Sequence, residues 1–153
     1  MALEIERKFL VESEEYKTFG NASEILQVYL STSEDISIRV RIDGIVASLA
    51  IKSKVSHRVN REYEYNIPID EARSIMQLND FPIISKTRYQ VDNKGHTWEV
   101  DEFHDANTGL VIAEIELEDE NEEFALPEWV GKEITEDVKY LNSNLAIHPF
   151  SRW

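Results

Sequence analysis

Charge recurs at every second residue in this sequence, and in most such runs the repeated charges carry one sign. Side chains at i and i+2 of an extended chain point the same way, so each run reads as a strand with a charged face and an apolar face. Arg39 and Arg41 stand opposite Ile38, Val40 and Ile42, and Lys52 and Lys54 opposite Leu49 and Ile51. Glu62 and Glu64 stand opposite Tyr63 and Tyr65, and Glu114 and Glu116 opposite Ile115 and Leu117. Lys86 and Arg88 make a further basic pair, Glu4, Glu6 and Lys8 share one face of the first run, and Asp101 lies on the seventh. A solubilising surface mixes signs, because like charges side by side repel. Sorted pairs call for counter-ions, on other strands or in a ligand.

The runs predict about eight strands, roughly residues 3–11, 23–31, 36–43, 45–54, 58–67, 83–92, 97–104 and 110–118. Turn signals at Asp43-Gly44, Asn93-Lys94-Gly95 and Asn107-Thr108-Gly109 separate several of them. Helical pieces are fewer: a turn from Ser13 to Phe19, a helix through Leu78 capped by Asp70, and a third beginning near Thr135. In the third, Glu136 and Asp137 suit the positive helix start, and Val138, Leu141 and Leu145 share a face. The expected class is β-rich α+β, in a single domain spanning residues 1–153. Eight strands with inward charged faces can close into a barrel with a wet lumen and an apolar outside covered by helices. Periodicity alone does not choose between inward and outward charge, since amphipathic antiparallel sheets commonly turn their polar face to water.

Seven basic and seven acidic residues make up the ladder, so the formal net charge of −14 lies outside it, notably in Glu118, Asp119, Glu120, Glu122 and Glu123. That balance argues against nucleic acid and anionic membrane as partners, and requires any anion site to be locally basic. Cysteine is absent, which removes disulfides, thiolate ligands and thiol nucleophiles. With charge alternating through the N-terminal run and no membrane-length apolar stretch, the expected location is the cytoplasm.

Clustered carboxylates without cysteine favour hard, oxygen-ligated cations, Mg²⁺ or Mn²⁺, over zinc. Clustered arginine and lysine suit the oxygens of a phosphate chain. No GxxxxGK[ST], GxGxxG or GxSxG motif occurs, so side chains would hold the phosphates, and attack by metal-activated water is the simplest chemistry. His57, His96, His104 and His148 have no metal-binding spacing, and Trp98, Trp129 and Trp153 are assigned to apolar packing.

Glu4-Ile5-Glu6-Arg7-Lys8 resembles the ExExK signature of the CYTH superfamily, the triphosphate tunnel metalloenzymes. The resemblance continues in order through Gln27-Val28-Tyr29-Leu30, Ile38-Arg39-Val40-Arg41, Ala50-Ile51-Lys52-Ser53-Lys54, Arg61-Glu62-Tyr63-Glu64, Lys86-Thr87-Arg88 and Trp98-Glu99-Val100-Asp101. It ends in Ala113-Glu114-Ile115-Glu116-Leu117 and Gly131-Lys132-Glu133-Ile134-Thr135. It implies a closed eight-stranded antiparallel tunnel with the charges inside, and looks most like the compact bacterial inorganic triphosphatases. By the same resemblance Lys8, Arg39, Arg41, Lys52, Lys54, Lys86 and Arg88 hold phosphates, and Glu4, Glu6, Asp101, Glu114 and Glu116 hold divalent metal. Glu114, Glu116 and Lys8 are its catalytic candidates, with Glu62 and Glu64 on the metal side behind them.

Tyr29 shares a face with Gln27 and is expected either to reach a phosphate or ligating carboxylate or to pack within the barrel. The expected partner is a small triphosphate-containing molecule, acted on by a monomer or homodimer. Relatives on the same tunnel include class IV adenylate cyclases and thiamine triphosphatases. Cyclisation, thiamine triphosphate hydrolysis and a non-catalytic polyphosphate-binding module therefore stand as alternatives to triphosphate hydrolysis.

Overall fold

The computed structural model describes residues 1–153. Nine strands form one antiparallel sheet: β1 (Ala2–Val11), β2 (Asn21–Thr32), β3 (Ile36–Asp43), β4 (Val46–Lys54), β5 (Val59–Ile67), β6 (Ile83–Asn93), β7 (His96–Phe103), β8 (Val111–Leu117) and β9 (Val130–Glu133). Their order is β5-β4-β3-β2-β6-β7-β8-β1-β9, and a further pairing of β5 with β1 closes eight of them into a barrel. The short β9, which periodicity does not reveal, pairs with β1 from Phe9 to Val11, beyond the stretch that β5 covers.

Two hairpins follow from turn chemistry. Asn93 pairs with His96 around Lys94 and Gly95, both at positive φ (47° and 87°), the combination a type I′ turn demands. Asp43 pairs with Val46, so Gly44 (φ 62°) and Ile45 make the turn, one residue later than the Asp-Gly signal suggests.

The outward faces are apolar. Phe9, Trp98, Val100, Ala113, Ile115 and Leu117 form one cluster, covered by Tyr16 of α1 (Tyr16–Phe19) and by Trp129. Val28, Val40, Ile42 and Ala47 form another beneath Ala72 of α2 (Ile69–Met76). Asp70 does not cap α2: Pro68 holds that position, and Asp70 and Glu71 sit in the first turn, where they face the helix dipole favourably. The helix expected from Thr135 is also redistributed. Asp137 caps a 3₁₀ turn at Val138–Tyr140, Leu141 is extended, and α3 runs only from Asn142 to Ile147.

The inside is not polar throughout. Ile84, Phe103 and Ile112, which share strand faces with Lys86, Asp101 and Glu114, pack with Leu145 of α3 at one end of the barrel. No helix is long and apolar enough to cross a membrane.

On the outside, Arg7 forks onto Glu133 of β9 at 2.7 and 2.6 Å, and Thr135 donates to the same carboxylate at 2.6 Å. The hydrogen bond from Arg7 holds the Glu133 carboxyl below its ordinary pKa. A depressed carboxylate contributes stability above its unfolded pKa and loses it as pH falls through the folded one. Glu133→Gln is therefore expected to lower Tm by about 2–4 °C near neutrality, from a loss of about 1 kcal/mol. The gap to the parent should shrink under acid. Thermal unfolding across pH checks this, and a constant gap would show the ion pair to be silent.

Candidate active site

Around the ring the charges of the lumen divide into two contiguous walls. Inward residues of β4, β3 and β6 are basic: Lys52 and Lys54, Arg39 and Arg41, Lys86 and Arg88. Between them β2 contributes the neutral Gln27 and Tyr29. On β7, β8, β1 and β5 the inward residues are acidic: Glu99, Glu114 and Glu116, Glu4 and Glu6, Glu62 and Glu64. Lys8 is the lone cation within the acidic wall. The walls enclose a cavity of about 720 Å³. Thr32–Ser37, Ser56 and His57 border it on one side of its rim, and Val138 and Leu141–Asn144 on another.

Opposite charges meet along the walls. Lys52 lies 3.0 Å from Glu4 and 3.4 Å from Glu62, Lys8 lies 3.6 Å from Glu114 and 3.8 Å from Glu6, and Arg39 lies 3.2 Å from Glu64. Burial lowers the pKa of Lys8, but Glu114 and Glu6 outweigh it, so the ammonium is held above its usual range. Arg41 contacts no carboxylate; its Nε donates to Gln27 Oε1 at 2.9 Å. Burial, reinforced by Arg39 and Arg88, pushes Arg41 down to about 10, the situation of a cation that lacks an anion.

The acidic wall shows the complementary deficiency. Glu6 and Glu116 pair in register, and the Glu116 carboxyl is pushed up by burial and by Glu4, Glu6 and Glu99. Glu4 Oε2 is buried without a partner. No three carboxylates already converge as a ligand cluster, but an all-oxygen, mutually repelling set with an orphaned oxygen is the donor chemistry that suits a hard divalent cation.

Of the residues singled out in the sequence, Asp101 alone stands off the cavity wall. It is 1 % exposed; Oδ2 accepts from Lys86 at 2.7 Å and from Arg88 at 2.9 Å, and Oδ1 accepts from Arg88 at 2.8 Å. Burial opposes its charge, but Lys86 and Arg88 hold the carboxyl well below the usual range. This geometry makes Asp101 a counter-ion to two cations, whereas the resemblance places it in the metal set.

Glu99, absent from the sequence candidates, faces the lumen instead and lies 2.6 Å from Arg88 Nη1. Burial raises its pKa, Arg88 opposes the rise, and Glu114 adds to it. The missed signal is the same period of two, since Glu99 precedes Asp101 by two residues. Tyr29 lines the cavity and accepts a hydrogen bond from Gln27 at 3.0 Å. His57, which has no metal-binding spacing, lies at the rim.

The CYTH domain family matches residues 2–146. A protein from Acetivibrio thermocellus named inorganic triphosphatase is 44 % identical over 154 residues, covering 100 % of this chain and 99 % of that relative. One of the same name from Nitrosomonas europaea is 34 % identical over 152 residues, covering 94 % and 97 %. A solved structure of an inorganic triphosphatase superposes with a TM-score of 0.70 at 32 % identity, covering 96 % of each chain.

Proposed function

This chain belongs to the CYTH domain family, and from that premise we propose that it hydrolyses inorganic tripolyphosphate in the lumen with Mg²⁺ or Mn²⁺. The observation that carries the reading is the two-walled lumen: a basic arc to lie along a phosphate chain, facing an acidic arc to hold the cation. Glu4, Glu6, Glu114 and Glu116, with Glu99 beside them, would hold the metal, which supplies Lewis acidity to phosphoryl oxygens and water.

Arg39, Arg41, Lys52, Lys54, Lys86 and Arg88 neutralise and align the chain, so that the reacting phosphorus meets the acidic wall in one orientation. Lys8 stays protonated between Glu6 and Glu114 and stabilises charge developing on a phosphoryl oxygen at that wall. Glu114 and Glu116 orient the attacking water and receive its proton. Glu62 holds Lys52 from the neighbouring strand, and Glu64 holds Arg39 from two strands away.

An inorganic chain is favoured over a nucleotide because the Tyr29 phenol and the His57 imidazole at the rim are the only aromatic rings lining the cavity. A nucleobase would find little to stack on. The proposed setting is the cytoplasm, in a chain of one domain acting as a monomer or homodimer on a small molecule, with neither nucleic acid nor membrane as partner.

The test is phosphate release from tripolyphosphate, pyrophosphate, ATP and thiamine triphosphate with Mg²⁺, Mn²⁺ or chelator. Metal-dependent turnover with kcat/KM highest for tripolyphosphate is expected. Inertness towards tripolyphosphate with both metals would overturn the function, and a higher kcat/KM for ATP or thiamine triphosphate would overturn the substrate.

A further inference from the structure

We infer that Asn142, the first residue of α3, is a positioning residue that orients two of the phosphate-facing cations from the rim of the cavity. Its Oδ1 accepts from Lys86 Nζ at 2.8 Å and from Gln27 Nε2 at 3.1 Å. The first link restricts an ammonium that lines the cavity, and the second an amide whose carbonyl accepts from Arg41.

An ammonium has three donors. Lys86 gives one to Asp101 and one to Asn142, which fixes the direction of the third. Without Asn142 the ammonium turns about Cε–Nζ, and its free N–H loses a set target. Gln27 is committed on every side: its amide donates to Tyr29 and to Asn142, and its carbonyl accepts from Arg41 Nε. Anchoring the amide on Asn142 therefore sets which edge of the Arg41 guanidinium is occupied and which is presented to the cavity.

The network has no slack, because a flipped Asn142 would bring an NH₂ group against Lys86. The anchor itself is firm. Leu145, one turn further along α3, is fully buried among Ile84, Phe103, Leu110, Ile112 and Ile134. Asn144 returns a hydrogen bond to the carbonyl of Val138 at 2.6 Å.

Lys86 and Arg41 belong to the basic wall on which the proposed substrate lies, so the inference depends on that reading. Losing the anchor should weaken binding of the phosphate chain and leave the reacting end, on the acidic wall, largely untouched.

The experiment compares the full-length parent with Asn142→Leu, which keeps the branching at Cγ without an acceptor, and Asn142→Ser, whose hydroxyl is too short to reach both donors. KM and kcat for tripolyphosphate are measured with Mg²⁺. The rise in Tm produced by tripolyphosphate in chelator is measured alongside. Expected is a KM raised about tenfold in both variants with kcat within about threefold of the parent, and a smaller ligand-induced rise in Tm. A purely structural role would lower the ligand-free Tm without this split.

Should Asn142→Leu fail to fold, Asn142→Ser decides. Parent KM and a parent ligand-induced rise in Tm in a folded variant overturn the inference alone. A parent protein inert to tripolyphosphate overturns the proposed function, and the inference with it.

Discussion

Glu116→Gln is expected to lower kcat for tripolyphosphate by roughly ten- to thousandfold, about 1.4–4 kcal/mol of barrier, while leaving the fold intact. The substitution keeps the shape of the side chain and removes one negative charge from the wall where Glu116 faces Glu6. Higher substrate concentration should not recover turnover, because the lost interaction serves the transition state more than the bound chain. Higher Mg²⁺ or Mn²⁺ should recover part of it.

Stability should move the other way. The raised pKa of Glu116, caused by burial and by Glu4, Glu6 and Glu99, means that the folded state resists its ionisation. Native stability is therefore gained, not lost, as pH falls through that raised pKa. A neutral glutamine should leave the metal-free Tm at neutral pH equal to or above that of the parent, the signature of a site strained for function. Parent turnover at every metal concentration would remove Glu116 from the catalytic set.

How much of this was legible in the chain follows from the range over which each feature is encoded. Strand faces are local, so the period of two revealed them, and it revealed that they were sorted by sign. The two-walled lumen is not local. Along the chain the signs run basic on β3 and β4, acidic on β5, basic on β6, then acidic on β7 and β8. Only the pairing of β2 with β6, and of β1 with both β5 and β8, gathers them into one basic and one acidic arc.

The C-terminal segment was least legible, because its structure is set by what it packs against. Glu136 and Asp137 signal a helix start, yet the extended Leu141 (φ −61°, ψ 135°) delays α3 by several residues. That delay allows Leu145 to enter the apolar end of the barrel and Asn142 to reach Lys86. β9 is hidden in the sequence for a related reason: four residues are too few to display a period, and the strand is defined by its partner on β1.

Asp101 shows where residue type and geometry part, and Asp101→Asn separates the two roles. Arg88 and Asp101 pair in register across β6 and β7, a relation invisible in the sequence, and Lys86 reaches the same carboxylate. Burial and the nearby Arg88 and Arg41, only partly offset by Asp101, push Lys86 down to about 7, so without the carboxylate Lys86 would give up its proton and the buried Arg88 guanidinium would lose its two-point partner. Removing one partner of a buried ion pair typically costs about 3–5 kcal/mol, here on the order of 10 °C in Tm. Because the folded pKa of Asp101 lies below the ordinary carboxylate range, its contribution is present above that range and persists well into acid. The decisive measurement is thermal unfolding of parent and Asp101→Asn in chelator, with no divalent cation available. A counter-ion is missed there as much as in metal, so a large drop in Tm without metal is the expected result. If Asp101 instead held the metal, the substitution would relieve repulsion in the metal-free protein, leave Tm unchanged or higher, and show its damage only in turnover. An unchanged Tm in chelator would return Asp101 to the metal set.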